Sequence, residues 1–208
     1  QEVNGIAGID IAALGADPLV RDVFVEIDYM KLPAGHGSSL NDSTLDSQSL
    51  PLRKNALDMV RSVFESYSPD SDDTNQYPLK IHFDVGNLFD QEPGINTAKY
   101  DLGGGNEIPF SRCIALGYDE TFNSSNCSDH YSLKQANFNS ARKNIFHYFI
   151  FAWSQKTTDV HGGSSGIAEV KGNDGIISVG NWALGGVESF IVNVQAGTLL
   201  HELGHNLG

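Results

Sequence analysis

At 208 residues the chain is long enough for one domain with a sizeable core and short for two. Its 11 Phe, 7 Tyr and 2 Trp are core formers that a disordered chain lacks. A formal net charge of −13 with only 13 Lys and Arg argues against nucleic acid or an anionic membrane as partner, since a phosphate footprint needs clustered cations.

In chain order, residues 1–20 mix apolar positions with Gly and Ala without a clear period and are expected to form an N-terminal arm. Val23, Val25, Ile27 and Tyr29 then alternate with Phe24, Glu26, Asp28 and Met30, which predicts a strand. A Gly-, Ser-, Asn- and Asp-rich loop follows over 31–50. Leu52, Ala56, Val60, Val63 and Phe64 next recur at helical spacing, predicting a helix over about 52–67 that Pro69 and an acidic run end. Leu79 to Val85 reads as a second strand.

From about 86 to 136 there is little regular signal, and a loop that long is expected to be functional or held by bridges and ions. Its Gly103-Gly104-Gly105 lacks the Lys-Ser/Thr and the strand-to-helix setting of a phosphate loop. The acidity of the chain has a bland reading, solubility, and a sharper one, calcium. For the latter, Asp84, Asn87, Asp90 and Glu92 are candidate ligands, as is the cluster Asp70, Asp72 and Asp73, though neither has EF-hand spacing. Cys113 and Cys127 flank a polar stretch and are either two free thiols or a disulfide worth roughly 3 kcal/mol. Asn41, Asn123 and Asn126 each begin a glycosylation sequon.

The apolar run from Ile145 to Trp153 predicts a central strand buried on both faces, with His147 as a hydrogen-bonded core histidine. A Gly/Ser loop at 162–166 leads into two short strands, Ile167 to Val170 and Ile176 to Gly180. Ser189 or Asn193 is the expected cap of a last helix whose apolar face is Val192, Ala196, Leu199, Leu203 and Leu207. The order predicts an α/β fold, a mixed, mainly parallel twisted sheet with a backing helix and a terminal helix. No run of about 18 apolar residues exists, so no membrane span is expected. A start at Gln1 without Met or an apolar leader predicts a removed signal or pro-segment, hence a secreted protein, and that setting favours the disulfide.

Chemistry concentrates in the last eight residues, His201-Glu202-Leu203-Gly204-His205-Asn206-Leu207-Gly208. Side chains four apart on a helix lie one above the other, so His201 and His205 can offer two imidazole nitrogens to one Zn²⁺. Glu202, one position on, reaches the metal's water as general base for attack on a peptide carbonyl.

This H-E-x-x-H-x-x-G run resembles the zinc signature of the metzincin metallopeptidases, in particular the adamalysin/reprolysin branch and the bacterial secreted enzymes similar to it. The stretches from Asp22 to Met30, from Ser165 to Glu169, and from Gln195 to Thr198 are similar to those bacterial proteins as well. The resemblance implies that residues 21–208 are the upper subdomain of a metzincin catalytic domain. It also implies a sharp turn at Gly208, a third ligand, His or Asp, three residues later, and a Met-containing turn beneath the zinc. With two ligands the 208-residue chain itself should bind zinc weakly and cleave poorly. The expected partners are a protein or peptide substrate and the pro-segment or C-terminal remainder of the same protein. In this family the short strand in the position of Ser165, Gly166, Ile167, Ala168, Glu169 and Val170 is the antiparallel sheet edge on which the peptide docks. The alternative from another class is a non-catalytic structural or binding module that kept the peptidase fold; such a scaffold has no need of Glu202.

Overall fold

A computed structural model describes residues 8–32, 50–66, 78–91, 93–94, 96–117, 127–155, 163–182, 184 and 186–208. The cluster Asp70, Asp72 and Asp73, the residue Glu92 and the sequons at Asn41, Asn123 and Asn126 lie outside these residues.

The fold is α/β, a mixed, mostly parallel sheet of six strands packed against three helices. The elements are β1 (Arg21–Met30), α1 (Lys54–Ser66), β2 (Leu79–Asp84), β3 (Glu107–Ile108), β4 (Ile114–Ala115), β5 (Ser128–Asp129), α2 (His130–Asn137), β6 (Phe146–Phe151), β7 (Gly166–Ala168), β8 (Asp174–Ile177) and α3 (Glu188–Leu207). The main sheet runs β2-β1-β6-β8-β7, with β3 continuing beside β1 beyond β2. All its pairings are parallel except β7 with β8. Strands β4 and β5 form a small separate ladder. No helix among the described residues is long and apolar enough to cross a membrane.

The alternation in β1 is real, but its polar side is not solvated. Side chains on a strand point alternately to opposite faces. In register, Val25 meets Phe83 and His147, while Glu26 meets Asp84 and Tyr148. The first face carries the helices: α1 packs on β2, α3 on β8 and β7, and the two helices touch. Val25, Ile27, Phe83 and Phe149 are fully buried there beside Leu57, Val60, Leu199 and Leu203.

On the second face Glu26, Asp28 and Asp84 have no solvent exposure. Buried charges need partners, and one guanidinium and a loop supply them. Arg142 reaches Glu26 Oε2 at 2.9 Å and Asp84 Oδ2 at 2.5 Å. Backbone N–H groups of Leu102 and Gly104 donate to Asp84, that of Gly105 to Glu26 and that of Asn106 to Asp28. Tyr148 donates its hydroxyl to Asp28 Oδ2 at 2.5 Å. This gives the triple glycine its purpose. A Cβ on Gly104 would lie 2.0 Å from Arg142 Nη1, and Gly105 sits at φ +68° with no room beside the Val85 backbone. The loop cradles the protein's own carboxylates.

Three sequence expectations need correction. The stretch over 86–136 contains a helix, α2, whose first turn is capped by Asp129 accepting from the Ser132 N–H at 2.8 Å. Helix α3 begins at Glu188 behind Val187 with no side-chain cap, and neither Ser189 nor Asn193 takes that role. Leu207, expected on its apolar face, is half exposed. Cys113 and Cys127 form a disulfide, a bond that persists in oxidising compartments.

Burial pushes the Glu26 carboxyl from 4.5 up to about 7, against the opposing pull of Arg142. A group whose folded pKa is raised contributes stability that is fully present below about pH 4.5 and lost as pH rises through about 7. Urea denaturation at pH 5 and pH 8 checks this. The wild type should lose stability over that interval, on the order of 3 kcal/mol from this group, and Glu26→Gln should lose distinctly less.

Candidate metal and peptide-binding site

Helix α3 is held at both ends and in the middle, and that fixes which way its side chains point. Glu188 receives Arg53 Nε at 3.0 Å. Gln195, buried, accepts the Arg53 N–H at 2.8 Å and donates to the Pro51 carbonyl at 3.0 Å. At the last turn Asn206 bonds the sheet, and the Lys171 N–H donates to the His205 carbonyl at 2.8 Å. With the buried face so committed, His201 and His205 fall on the open side and Glu202 and Asn206 on the side facing the sheet edge.

The two imidazoles meet at their Nε2 atoms, 3.1 Å apart, with the ring planes at 89°. Two nitrogens bound to one tetrahedral Zn²⁺ at about 2.0–2.1 Å each would sit about 3.3 Å apart. The pair therefore fits a zinc ion with an adjustment of a few tenths of an ångström. Among the described residues no group of three His, Cys, Asp or Glu gathers around one point, so these two are the donors this part of the chain offers.

Glu202 is 5% exposed. Burial pushes its carboxyl up, while the neighbouring His201 and His205 pull it down. Its side chain lies flat on the backbone of β7: a Cβ on Gly166 would come within 2.5 Å of Glu202 Cγ and 2.6 Å of Oε1. Glycine at 166 is therefore what lets the acid and the strand approach.

Strand β7 ends the sheet, with no partner on its outer side among the described residues. The Glu169 N–H donates to Asp174 O at 3.0 Å and the Ser178 N–H to Ser165 O at 2.7 Å. Residues 165, 167 and 169 thus bond inward, and by the alternation of an antiparallel ladder the N–H groups of Gly166 and Ala168 point to the open edge. The Gly166 carbonyl takes the Ser164 hydroxyl at 2.6 Å.

Of the six residues expected along this edge, the strand contains three. Ser165 precedes it; Glu169 and Val170 follow it in the turn to β8. Glu169 is turned away from the edge, its carboxylate accepting from the Tyr131 hydroxyl at 2.7 Å and the Asn173 N–H at 3.1 Å.

Of the residues expected for calcium, Asp84, Asn87 and Asp90 are described. Both oxygens of Asp84 are engaged by Arg142 and the N–H groups of Gly86, Leu102 and Gly104. The Oδ1 of Asn87 accepts from the Tyr29 hydroxyl at 3.2 Å, and Asp90 lies exposed in a turn. Glu92, the fourth member of the set, lies outside the described residues.

His147 is hydrogen-bonded as expected, and its partner is Asn206 Oδ1 at 3.1 Å. The sequence reading missed Asn206, though its place four residues after Glu202 would have put the two on one helix face. No family model, curated protein or solved structure matches the chain.

Two glycines test this geometry. Gly166→Ala should lower stability by about 1–3 kcal/mol, the usual effect of overpacking, because Glu202 has to shift. Gly197→Ala, where an added Cβ meets nothing, should instead stabilise by up to about 1 kcal/mol. Thermal melting of the two variants against wild type is the check, and equal effects would mean that Glu202 does not rest on Gly166.

Proposed function

We propose that this chain carries zinc-site residues of a secreted metzincin-like endopeptidase. The observation that carries the reading is the convergence of the His201 and His205 Nε2 atoms at 3.1 Å beside a buried Glu202 and an open sheet edge. Bound zinc supplies a Lewis acid that polarises a peptide carbonyl and acidifies water. The chain's own residues do the rest. His201 and His205 hold the metal, and the pattern calls for a third ligand three residues past Gly208. Glu202, adjacent to both histidines and excluded from solvent, takes a proton from the attacking water and returns it to the leaving amine.

The peptide adds as a strand along β7, where the N–H groups of Gly166 and Ala168, without a partner among the described residues, point outward next to Glu202. The disulfide and the acidic charge suit an extracellular setting. A scaffold role explains less, because it gives no reason for His201, His205 and a buried Glu202 to come together at the sheet edge.

In the full-length protein Glu202→Gln should retain zinc while its turnover falls by about 10²–10⁴-fold, the range of a lost general base. His201→Ala and His205→Ala should lose the metal itself. Metal analysis beside peptide cleavage separates the two cases, and an undiminished rate in Glu202→Gln would exclude the assigned base. For the edge, Ala168→Pro removes one outward N–H and leaves the β7–β8 ladder in place. It should raise KM with zinc content unchanged; an unaltered KM would remove β7 as the docking strand.

A further inference from the structure

Asn206 is as buried as Glu202, 5% exposed, and every polar atom of its amide is engaged. Nδ2 donates to the Glu169 carbonyl at 2.8 Å and to the Asp174 carbonyl at 3.1 Å. Two carbonyl partners require the nitrogen on that side, so Oδ1 faces His147 and accepts from Nδ1 at 3.1 Å. Glu169 is the first residue after β7 and Asp174 the first of β8. One side chain therefore ties together both strands of the edge hairpin, the central strand β6 and the last turn of the histidine-bearing helix. The Lys171 N–H to His205 carbonyl bond closes the same junction from the hairpin tip, where Lys171 itself sits at φ 56°.

We propose that Asn206 is a positioning residue that sets the distance and register between the peptide-docking edge β7 and the His201, Glu202, His205 cluster. The inference rests on the peptidase reading and adds the part that aligns substrate with the reacting groups. Helix α3 and strand β7 come from separate stretches of chain, and the contact of Glu202 with Gly166 has no hydrogen bond to fix it. The fork of Asn206 does, because its two donors reach both ends of the hairpin turn. A displacement of about 1 Å between substrate and reacting groups can reduce turnover about 10²-fold. Loss of the fork is thus expected to act on long peptides, which lie along β7, far more than on short ones that reach only the metal and Glu202.

The test uses Asn206→Ala and, so that a folding failure of the first does not end it, Asn206→Asp, which keeps the size and loses both donors. Zinc content, kcat and KM are measured on the full-length protein with an eight-residue peptide and with a dipeptide amide. Amide hydrogen exchange is measured on the metal-free chain. The expected result is wild-type zinc content, a kcat on the long peptide reduced about 10²-fold, and a much smaller loss on the dipeptide amide. Exchange of the Glu169 and Lys171 amides should quicken by about tenfold or more, as for the loss of one or two hydrogen bonds, with the β6 amides unchanged. Equal losses on both substrates, loss of zinc, or an unchanged kcat in the folded variants would overturn the assignment. A wild-type protein that neither holds zinc nor cleaves peptide would overturn the peptidase reading and this inference with it, whereas wild-type activity with unaltered variants overturns the inference alone.

Discussion

Three carboxylates on one buried face of a mostly parallel sheet, with one guanidinium among them, are the constraint around which the rest of the molecule is arranged. Glu26, Asp28 and Asp84 come from two adjacent strands and cannot remain charged in an apolar layer without donors. Arg142 satisfies part of the demand. The remainder falls to backbone N–H groups from residues 102–106, which is why that loop closes onto the sheet and why its glycines must be glycines. The loop then delivers β3 to the end of β1, and the turn that carries Arg142 delivers β6 to its middle. With that face sealed by polar contacts, the other is left to α1 and α3, and α3 carries the histidines.

The two faces of α3 divide the work in the same spirit. Its open side presents His201 and His205 with their nitrogens converging, and its inner side presses Glu202 and Asn206 against the edge hairpin. Placing the acid on the inner side removes it from bulk water while keeping it one position from His201 and within one helical turn of His205. Among the described residues the sheet ends there, at a short strand antiparallel to β8 and packed against the helix. An edge without a partner among the described residues is a liability; in the proposed reading, beside two converging histidines and a buried acid, it is the seat for an extended peptide.

Much of this was legible in the sequence, and the failures are physical. Helical spacing identified α1, and uninterrupted apolar residues identified β6, because burial writes those patterns directly. The H-E-x-x-H spacing alone fixed the facing of His201 and His205. Alternation in β1 was read correctly, but Glu26 and Asp28 look solvent-facing to any rule that equates charge with exposure. Their partners, Arg142 and the glycine loop, lie far off along the chain, and no local pattern ties them. The bonds of Asp84, a candidate cation ligand by sequence, to Arg142 and the glycine loop are hidden for the same reason. Helix α2 escaped notice because its eight residues carry a weak apolar stripe and depend on Asp129 and on tertiary contacts such as Lys134 with Asp174. The amide fork of Asn206 is likewise three-dimensional: Glu169, Asp174 and His147 are brought to it only by the fold.

The central claim is that His201 and His205 are ligands of one zinc ion. X-ray absorption at the zinc edge, recorded on the zinc-loaded chain, reads it directly. The account predicts two imidazole nitrogens around the metal at about 2.0–2.1 Å, and loss of the bound zinc in His205→Ala. A shell built from carboxylate or water oxygens alone, unchanged by that substitution, would contradict it.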